Sequence, residues 1–353
     1  MSRFFSEKYK TLEPYTPGEQ PQDMQYVKLN TNESPFPASP RAVAAAAEAA
    51  ERLRLYSDPE CRLLTEKFCE VFGVAKDEVL FTNGSDEILN FAFMAYCDDA
   101  HPAAFPNISY GFYPVFAEIN RVPYTEIPLR YDFTIDVDAY CGINKTIFIA
   151  NPNAPTGIAL KPAEIEMILR SNPNNVVVID EAYVDFGAES CIPLIREYDN
   201  LLVTQTFSKS RSLAGGRLGY GAANPEIIRD LNTIRNSTNP YNIDTMTQAA
   251  GTACLKNDGY NGKNCRTIIR TREKTAKELK KLGFEVTQSS ANFLFAKHPG
   301  ISGEELYRKL KERRILIRHF SADRIKDYNR ISIGTDEQME VFLKETEKII
   351  NGR

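Results

Sequence analysis

Residues 174–183 read "NNVVVIDEAY", four successive aliphatic residues ended by two carboxylates and an aromatic ring. β-branched residues favour extended backbone, and a run without polar alternation suits a strand covered on both faces. Strands of that kind belong to parallel sheets with helices on either side. Three further runs repeat the pattern: "EVLFT" (78–82), "TIFIA" (146–150) and "LLVTQTF" (201–207). Around them, "RAVAAAAEAAERLRLY" (41–56) and "PAEIEMIL" (162–169) favour helix, the second opening with a proline in its first turn. The alternation predicts an α/β fold, a large domain over residues 38–245 whose mostly parallel central sheet is sandwiched by helices.

Beyond residue 245 the texture changes. "CRTIIRTREKTAKELKKLG" (265–283) is a charged amphipathic helix ending at Gly283. It is followed by three short strand-like runs, "NFLFA", "RILIRHF" and "NRISIG", and a closing helix to about residue 350. Residues 246–353 therefore read as a smaller α+β domain. Residues 1–37 hold Pro14, Pro17, Pro21, Pro35 and Pro37 and little periodicity, which predicts an extended arm that joins the small domain and packs across both.

The totals exclude several classes of function. With 25% charged and 42% hydrophobic residues over 353 positions, the chain has a globular composition. A formal net charge of -4 leaves no basic footprint for nucleic acid or for an anionic membrane surface. No stretch approaches the roughly 20 apolar residues of a membrane span. The seven cysteines form no C-x-x-C pair, which reads as free thiols in a reducing compartment and no metal site. These features predict a cytoplasmic protein whose partners are neither nucleic acid nor membrane.

Ligands of parallel α/β sheets bind at the carboxyl ends of the strands, so the residues that follow each apolar run belong together. After "EVLFT" come Asn83, Gly84, Ser85 and Asp86, opening a helix whose free amides suit an anion. "NPNAPTG" follows "TIFIA", and Asp180, Glu181 and Tyr183 end the third run. Ser208 and Lys209 end the fourth. Taken singly, a Gly-Ser-Asp turn is usually an N-cap and a lysine after a strand is usually a solvated charge. Taken jointly, a lysine amine, a buried carboxylate and a phosphate cradle are what pyridoxal 5'-phosphate requires.

With "NPNAPTG", "DEAYVDF" and "TFSKSRSLAGGRLGY" on the page, the chain resembles the aminotransferases of pyridoxal-phosphate fold type I, from "KLNTNESPF" to "RISIGT". Within them "LEPYTPGEQ", "LNTNESPFPASP", "RLYSDPECRLL", "ILIRHF" and "NRISIGT" resemble the histidinol-phosphate aminotransferase family most closely. The resemblance implies transamination between histidinol phosphate and 2-oxoglutarate, in histidine biosynthesis. It implies that Lys209 bonds to the cofactor, that Asp180 pairs with the ring nitrogen and that Tyr183 donates to the ring oxygen. Tyr110, in "NISYGFYP", would stack on the ring. Gly84, Ser85, the amide of Asp86, Ser208 and Arg217 would cradle the phosphate. Tyr56 would reach that phosphate from the neighbouring subunit of a homodimer with shared active sites.

For the substrate, the resemblance assigns Arg318 and Arg330 to a carboxylate and a phosphate, groups that arginine's planar fork matches. Tyr15, Asn32, Glu33 and Tyr241 are further candidates for the pocket wall. One position departs from the family pattern. Ala154 stands where an asparagine usually donates to the ring oxygen, so Asn153 or another group substitutes, or the oxygen has one donor fewer. On the same scaffold, an aromatic or aspartate aminotransferase or a threonine-phosphate decarboxylase remains open. A pyridoxal-phosphate-binding regulator would carry a basic helix-turn-helix segment, and none precedes residue 40.

Overall fold

The computed structural model describes residues 2–22 and 24–352. The arm contributes β1 (Val27–Lys28), and helices α1 (Pro40–Ala50) and α2 (Arg62–Phe72) follow. Next come β2 (Val79–Asn83), α3 (Gly84–Tyr96), β3 (Ala103–Pro106), α4 (Phe112–Asn120) and β4 (Tyr124–Ile127). Strand β5 (Thr146–Ala150), α5 (Pro162–Ser171), β6 (Val177–Asp180), β7 (Leu201–Thr206) and β8 (Leu218–Ala223) complete the sheet unit. Helices α6 (Pro225–Thr238), α7 (Thr245–Lys256) and α8 (Asp258–Lys281) lead into β9 (Glu285–Val286) and β10 (Phe293–Lys297). The chain ends with α9 (Gly303–Glu312), β11 (Ile315–Leu316), β12 (Arg318–His319), β13 (Asn329–Ser332) and α10 (Asp336–Ile350).

Seven strands form one sheet in the order β2-β8-β7-β6-β5-β3-β4. Only β8 runs antiparallel to its neighbours. Successive side chains of a strand point to opposite faces, and here both faces are covered. Ile147, Ile149, Val177, Ile179, Leu201 and Val203 pack on one side with α2, α5 and α7. Phe148, Val178 and Leu202 pack on the other with α3, α4 and α6. That double burial is why these strands read as unbroken apolar runs.

A second sheet has the order β12-β13-β10-β9, and beside it β1 of the arm pairs in parallel with β11 as a separate two-stranded sheet. Its core draws on Ile268, Leu279, Leu294, Leu310, Ile331 and Phe342, together with Leu29 of the arm. Two expectations shift. The helix expected from residue 265 begins at Asp258, and the one expected over 41–56 ends at Ala50. The boundary expected after residue 245 falls just inside α7, whose Ala250, Cys254 and Leu255 belong to the core of the large sheet, whereas Cys265 and Ile268 of α8 belong to that of the small one. The change of partners therefore comes one helix later.

Candidate active site

The carboxyl ends of β2, β6 and β7 meet the start of β8 around a cavity of about 420 Å³ lined by Ser85, Asp86, Tyr110, Asp180, Ser208, Lys209 and Arg217. Two glycines make the approach possible. Gly84 has φ +73°, and a Cβ there would lie 2.6 Å from Arg217 Nη2. A Cβ at Gly219 would lie 2.4 Å from the backbone of Gly84 and Ser85. With neither present, the Gly84 amide donates to Arg217 O at 2.9 Å and the first turn of α3 abuts β8. The guanidinium of Arg217 then sits at the amide end of that helix, Nη2 donating to Asp86 Oδ2 at 3.1 Å, and Tyr110 donates to Asp86 Oδ1 at 2.5 Å.

Asp180 closes β6 with its side chain 5% exposed. It accepts from the Ala182 amide at 3.2 Å and from Tyr113 OH at 3.4 Å. Loss of solvent outweighs these donors and pushes its pKa up to about 7. Lys209 Nζ donates to Thr31 O of the arm at 3.3 Å and lies 5.7 Å from the centroid of the Tyr183 ring. Tyr183 Oη accepts from Asn32 Nδ2 at 3.0 Å, so its own proton points elsewhere. Ser208 Oγ accepts from Thr206 Oγ1 at 2.9 Å, and Thr206 also lines the cavity, a role no sequence pattern signalled.

A second cavity of about 340 Å³ shares Thr31, Tyr110, Ala154, Tyr183 and Lys209 with the first and is walled by Tyr15, Asn32, Arg318, Phe320 and Arg330. Arg318 and Arg330 stand opposite one another in the antiparallel pairing of β12 with β13. Arg330 Nη2 donates to Asn30 O at 3.2 Å, and its Nε is buried with no hydrogen-bond partner. Arg318 reaches only the carbonyls of Pro17 and Thr16, at 3.4 and 3.3 Å. Among the described residues neither guanidinium has a carboxylate within ion-pair distance. Desolvation accordingly lowers the pKa of Arg330.

Three expected site residues lie elsewhere. Asn153 is buried, but Nδ2 donates to Ile108 O and Thr156 Oγ1, both at 3.0 Å, and Oδ1 accepts from Ser109 Oγ at 2.8 Å. Its hydrogen bonds hold the loop, and it lines neither cavity. Ala154 does line both. Tyr56 and Tyr241 stack on each other, centroids 4.6 Å apart, on an exposed face outside both cavities of their own chain. Glu33 lines the first cavity and pairs with Lys28. Gln20, Thr31 and Phe320 were not anticipated, and only Phe320, two residues after Arg318, had a neighbour that pointed to it.

A lysine amine, a buried carboxylate and two guanidinium groups that, among the described residues, have no carboxylate within ion-pair distance thus line adjoining cavities. Residues 24–345 match the family described as aminotransferase class I and II. The histidinol-phosphate aminotransferase of Brachyspira hyodysenteriae is 47% identical over 352 residues, 99% of each chain. That of a Marinomonas species is 48% identical over 343 residues, 96% of this chain and 97% of the relative. The histidinol-phosphate aminotransferase of Sinorhizobium meliloti, solved in complex with pyridoxal 5'-phosphate, has the same fold with a TM-score of 0.90 at 21% identity, covering 100% of this chain and 99% of that one. The chain belongs to the class I and II aminotransferase family.

Proposed function

We propose that the protein transfers the amino group between histidinol phosphate and 2-oxoglutarate, in histidine biosynthesis, with pyridoxal 5'-phosphate held in the first cavity. The observation that carries the reading is the pair Arg318 and Arg330, paired across β12 and β13 in a cavity that Lys209 also lines, and with no carboxylate within ion-pair distance among the described residues. One suits the carboxylate of 2-oxoglutarate or glutamate, the other the phosphate of histidinol phosphate. The relatives named above share this activity in name at close to half identity.

The residues present fit the cofactor. Asp180 is a buried carboxylate with no cation within ion-pair distance among the described residues, a partner that a protonated ring nitrogen would provide. Ser85, the amides opening α3, Ser208 and Arg217 suit a phosphate dianion. Tyr110 would cover the ring face. When bound, the cofactor supplies an aldehyde that takes up the substrate's amine and a ring that accepts the electron pair left when the α-carbon loses its proton.

The remaining chemistry belongs to the chain. Asp180 keeps the ring nitrogen protonated, the condition for electron uptake. Tyr183, with Asn32 donating to its oxygen, is left to donate its own proton to the ring oxygen. Lys209 would hold the proton taken from the substrate's α-carbon, as a positioned general base, and would release it again as a general acid. Arg318 and Arg330 fix the substrate so that this proton faces the amine, and the walls from the arm and Phe320 limit water.

The exposed Tyr56 and Tyr241 support a homodimer in which Tyr56 completes the partner's phosphate cradle, in the cytoplasm. Mixed dimers of Lys209→Ala and Tyr56→Ala subunits should regain part of the activity, since one of their two sites carries neither lesion. Steady-state assays with histidinol phosphate, phenylalanine, tyrosine and aspartate as donors test the substrate reading. Histidinol phosphate should give the highest kcat/KM, and a higher value for aspartate or an aromatic amino acid would overturn it.

A further inference from the structure

The strands that carry Arg318 and Arg330 are joined by residues 320–328, and a tight turn of the large sheet unit, residues 129–134, lies against that connection. The turn closes through Arg130 N to Thr134 O and Phe133 N to Arg130 O, both at 2.9 Å. Asp132 Oδ1 accepts from the Thr134 amide at 3.0 Å and from its hydroxyl at 2.6 Å. Within it Phe133 has φ +67°, a left-handed conformation that residues other than glycine and asparagine rarely adopt. Such a conformation persists where the surroundings over-determine it.

Part of those surroundings comes from the opposite unit. The Phe133 ring meets Phe295 edge-on at 5.7 Å and Tyr328 edge-on at 5.2 Å. Arg324 lies over the same ring at 5.1 Å, while its Nη1 donates to Leu129 O at 2.7 Å and its Nη2 to Arg130 O. From there the packing continues inward. Phe295 stacks on Tyr328 at 4.6 Å and meets the edge of Phe320 at 6.2 Å. The guanidinium carbons of Arg318 and Arg330 are each 5.9 Å from the Phe320 ring centroid.

We propose that Phe133 and Arg324 form a clamp between the two units that sets the position of the substrate-facing arginine pair. They are positioning residues for anionic substrates, acting through Phe295, Tyr328 and Phe320. The proposal rests on the reading of Arg318 and Arg330 as anion readers. Because productive binding tolerates displacements of well under 1 Å, loosening the connection between β12 and β13 weakens substrate capture while leaving the cofactor cradle, built on the other sheet, intact.

The test uses the cofactor-loaded enzyme and the variants Arg324→Gln and Phe133→Asn. Asparagine tolerates the left-handed backbone, so the turn is retained while the ring is lost. Four quantities are read: KM and kcat for histidinol phosphate, the cofactor dissociation constant, and the dissociation constant of maleate from its effect on the cofactor's absorbance. KM and the maleate constant should rise by about tenfold, with kcat and cofactor affinity within about twofold of wild type. Folded variants with unchanged KM and maleate binding would overturn the clamp. So would a parallel loss of kcat, cofactor affinity and substrate affinity, which marks general loosening. Should Phe133→Asn not fold, Arg324→Gln and Arg324→Lys carry the test, because Arg324 is exposed and its replacement opens no cavity. A wild type that turns over no histidinol phosphate refutes the substrate reading alone, and the maleate constants still decide the clamp.

Discussion

The two cavities meet at Lys209 and are built by opposite rules. The inner one takes its central residues from the ends of strands that are hydrogen-bonded neighbours, Asp180 and Lys209 at β6 and β7, Ser85 and Arg217 at β2 and β8, with Gln20, Thr31 and Glu33 of the arm at its wall. The outer one gathers Tyr15, Asn32, Arg318 and Arg330 from opposite ends of the chain, tied by Asn32 N to Ser332 Oγ at 2.8 Å across 300 residues. Their charged groups differ too. The inner cavity buries a carboxylate whose pKa rises with desolvation, and the outer one presents two guanidinium groups with no carboxylate within ion-pair distance among the described residues. On the proposed roles, reaction chemistry is locally encoded, whereas substrate choice depends on how two units are held together.

The largest break should come at the shared residue. Lys209→Ala removes the only amine at the junction, and kcat should fall by at least about four orders of magnitude, while the cofactor is still captured through its phosphate. Borohydride, which should fix the cofactor to the wild-type chain, should fix none to this variant. A variant that transaminates at the wild-type rate would end the assignment of Lys209.

Next in size are the arginines. Arg330→Ala should lower kcat/KM for every anionic substrate by roughly 2–5 kcal/mol, about 30-fold to several thousand-fold, without weakening the cofactor. Arg318→Ala should produce a loss of that order for phosphorylated donors and a smaller one for unphosphorylated aromatic amino acids. Equal losses for both donors would show that Arg318 is not the phosphate reader. Loss of cofactor affinity in Arg330→Ala would dissolve the separation between the cavities.

Asp180 sharpens the comparison through stability. Burial raises its pKa from the ordinary 3.8 to about 7, so in cofactor-stripped protein the folded state holds this proton to higher pH than the unfolded chain does. Its contribution to stability is therefore fully present below about pH 4 and is lost as pH rises towards 7. Asp180→Asn should stabilise the stripped protein at pH 8 by about 2–4 kcal/mol, read from denaturant unfolding, while crippling catalysis. Some decline with pH should survive in the variant, since burial also pushes Glu181 up to about 7. A variant no more stable than wild type at pH 8 would show that the buried carboxylate is not a source of strain.

The smallest effect concerns Ala154. Asn153 is engaged in its own loop, so on the proposed reading Tyr183 would be the donor to the ring oxygen from this part of the site. A further donor there would stabilise the deprotonated form, so Ala154→Asn should lower the pH midpoint of the cofactor's visible band. One well-formed hydrogen bond of about 1 kcal/mol corresponds to a shift of up to about one unit. An unchanged midpoint in a folded, cofactor-loaded variant would mean that some other group already donates.

The legibility of the site followed this same division. Asp180, Ser208 and Lys209 were readable because each directly follows the β-branched run that places it. Strand β8 was not, since "LGYGAA" is interrupted by glycines needed for its close approach to α3. Thr206 belongs to a strand and carries no mark of its cavity. Thr31 and Gln20 act through a fold of the arm that no local pattern encodes. Asn153 was assigned by its motif, yet hydrogen bonds to Ile108, Ser109 and Thr156 draw it away. The stacking of Tyr56 with Tyr241 joins residues 185 positions apart, which no local pattern encodes.

The pairing of β1 with β11, and of Asn32 with Ser332, also has a consequence in time. At synthesis rates of about 5–20 residues per second, residues 300 positions apart emerge roughly 15–60 s apart. During that interval the large sheet can assemble with Lys209 and Asp180 at the carboxyl ends of its central strands, but the arm that covers the lysine has nothing to pair with. Full activity is thus a property of the completed chain, and a nascent or truncated one holds the reactive amine without the walls that choose its substrate.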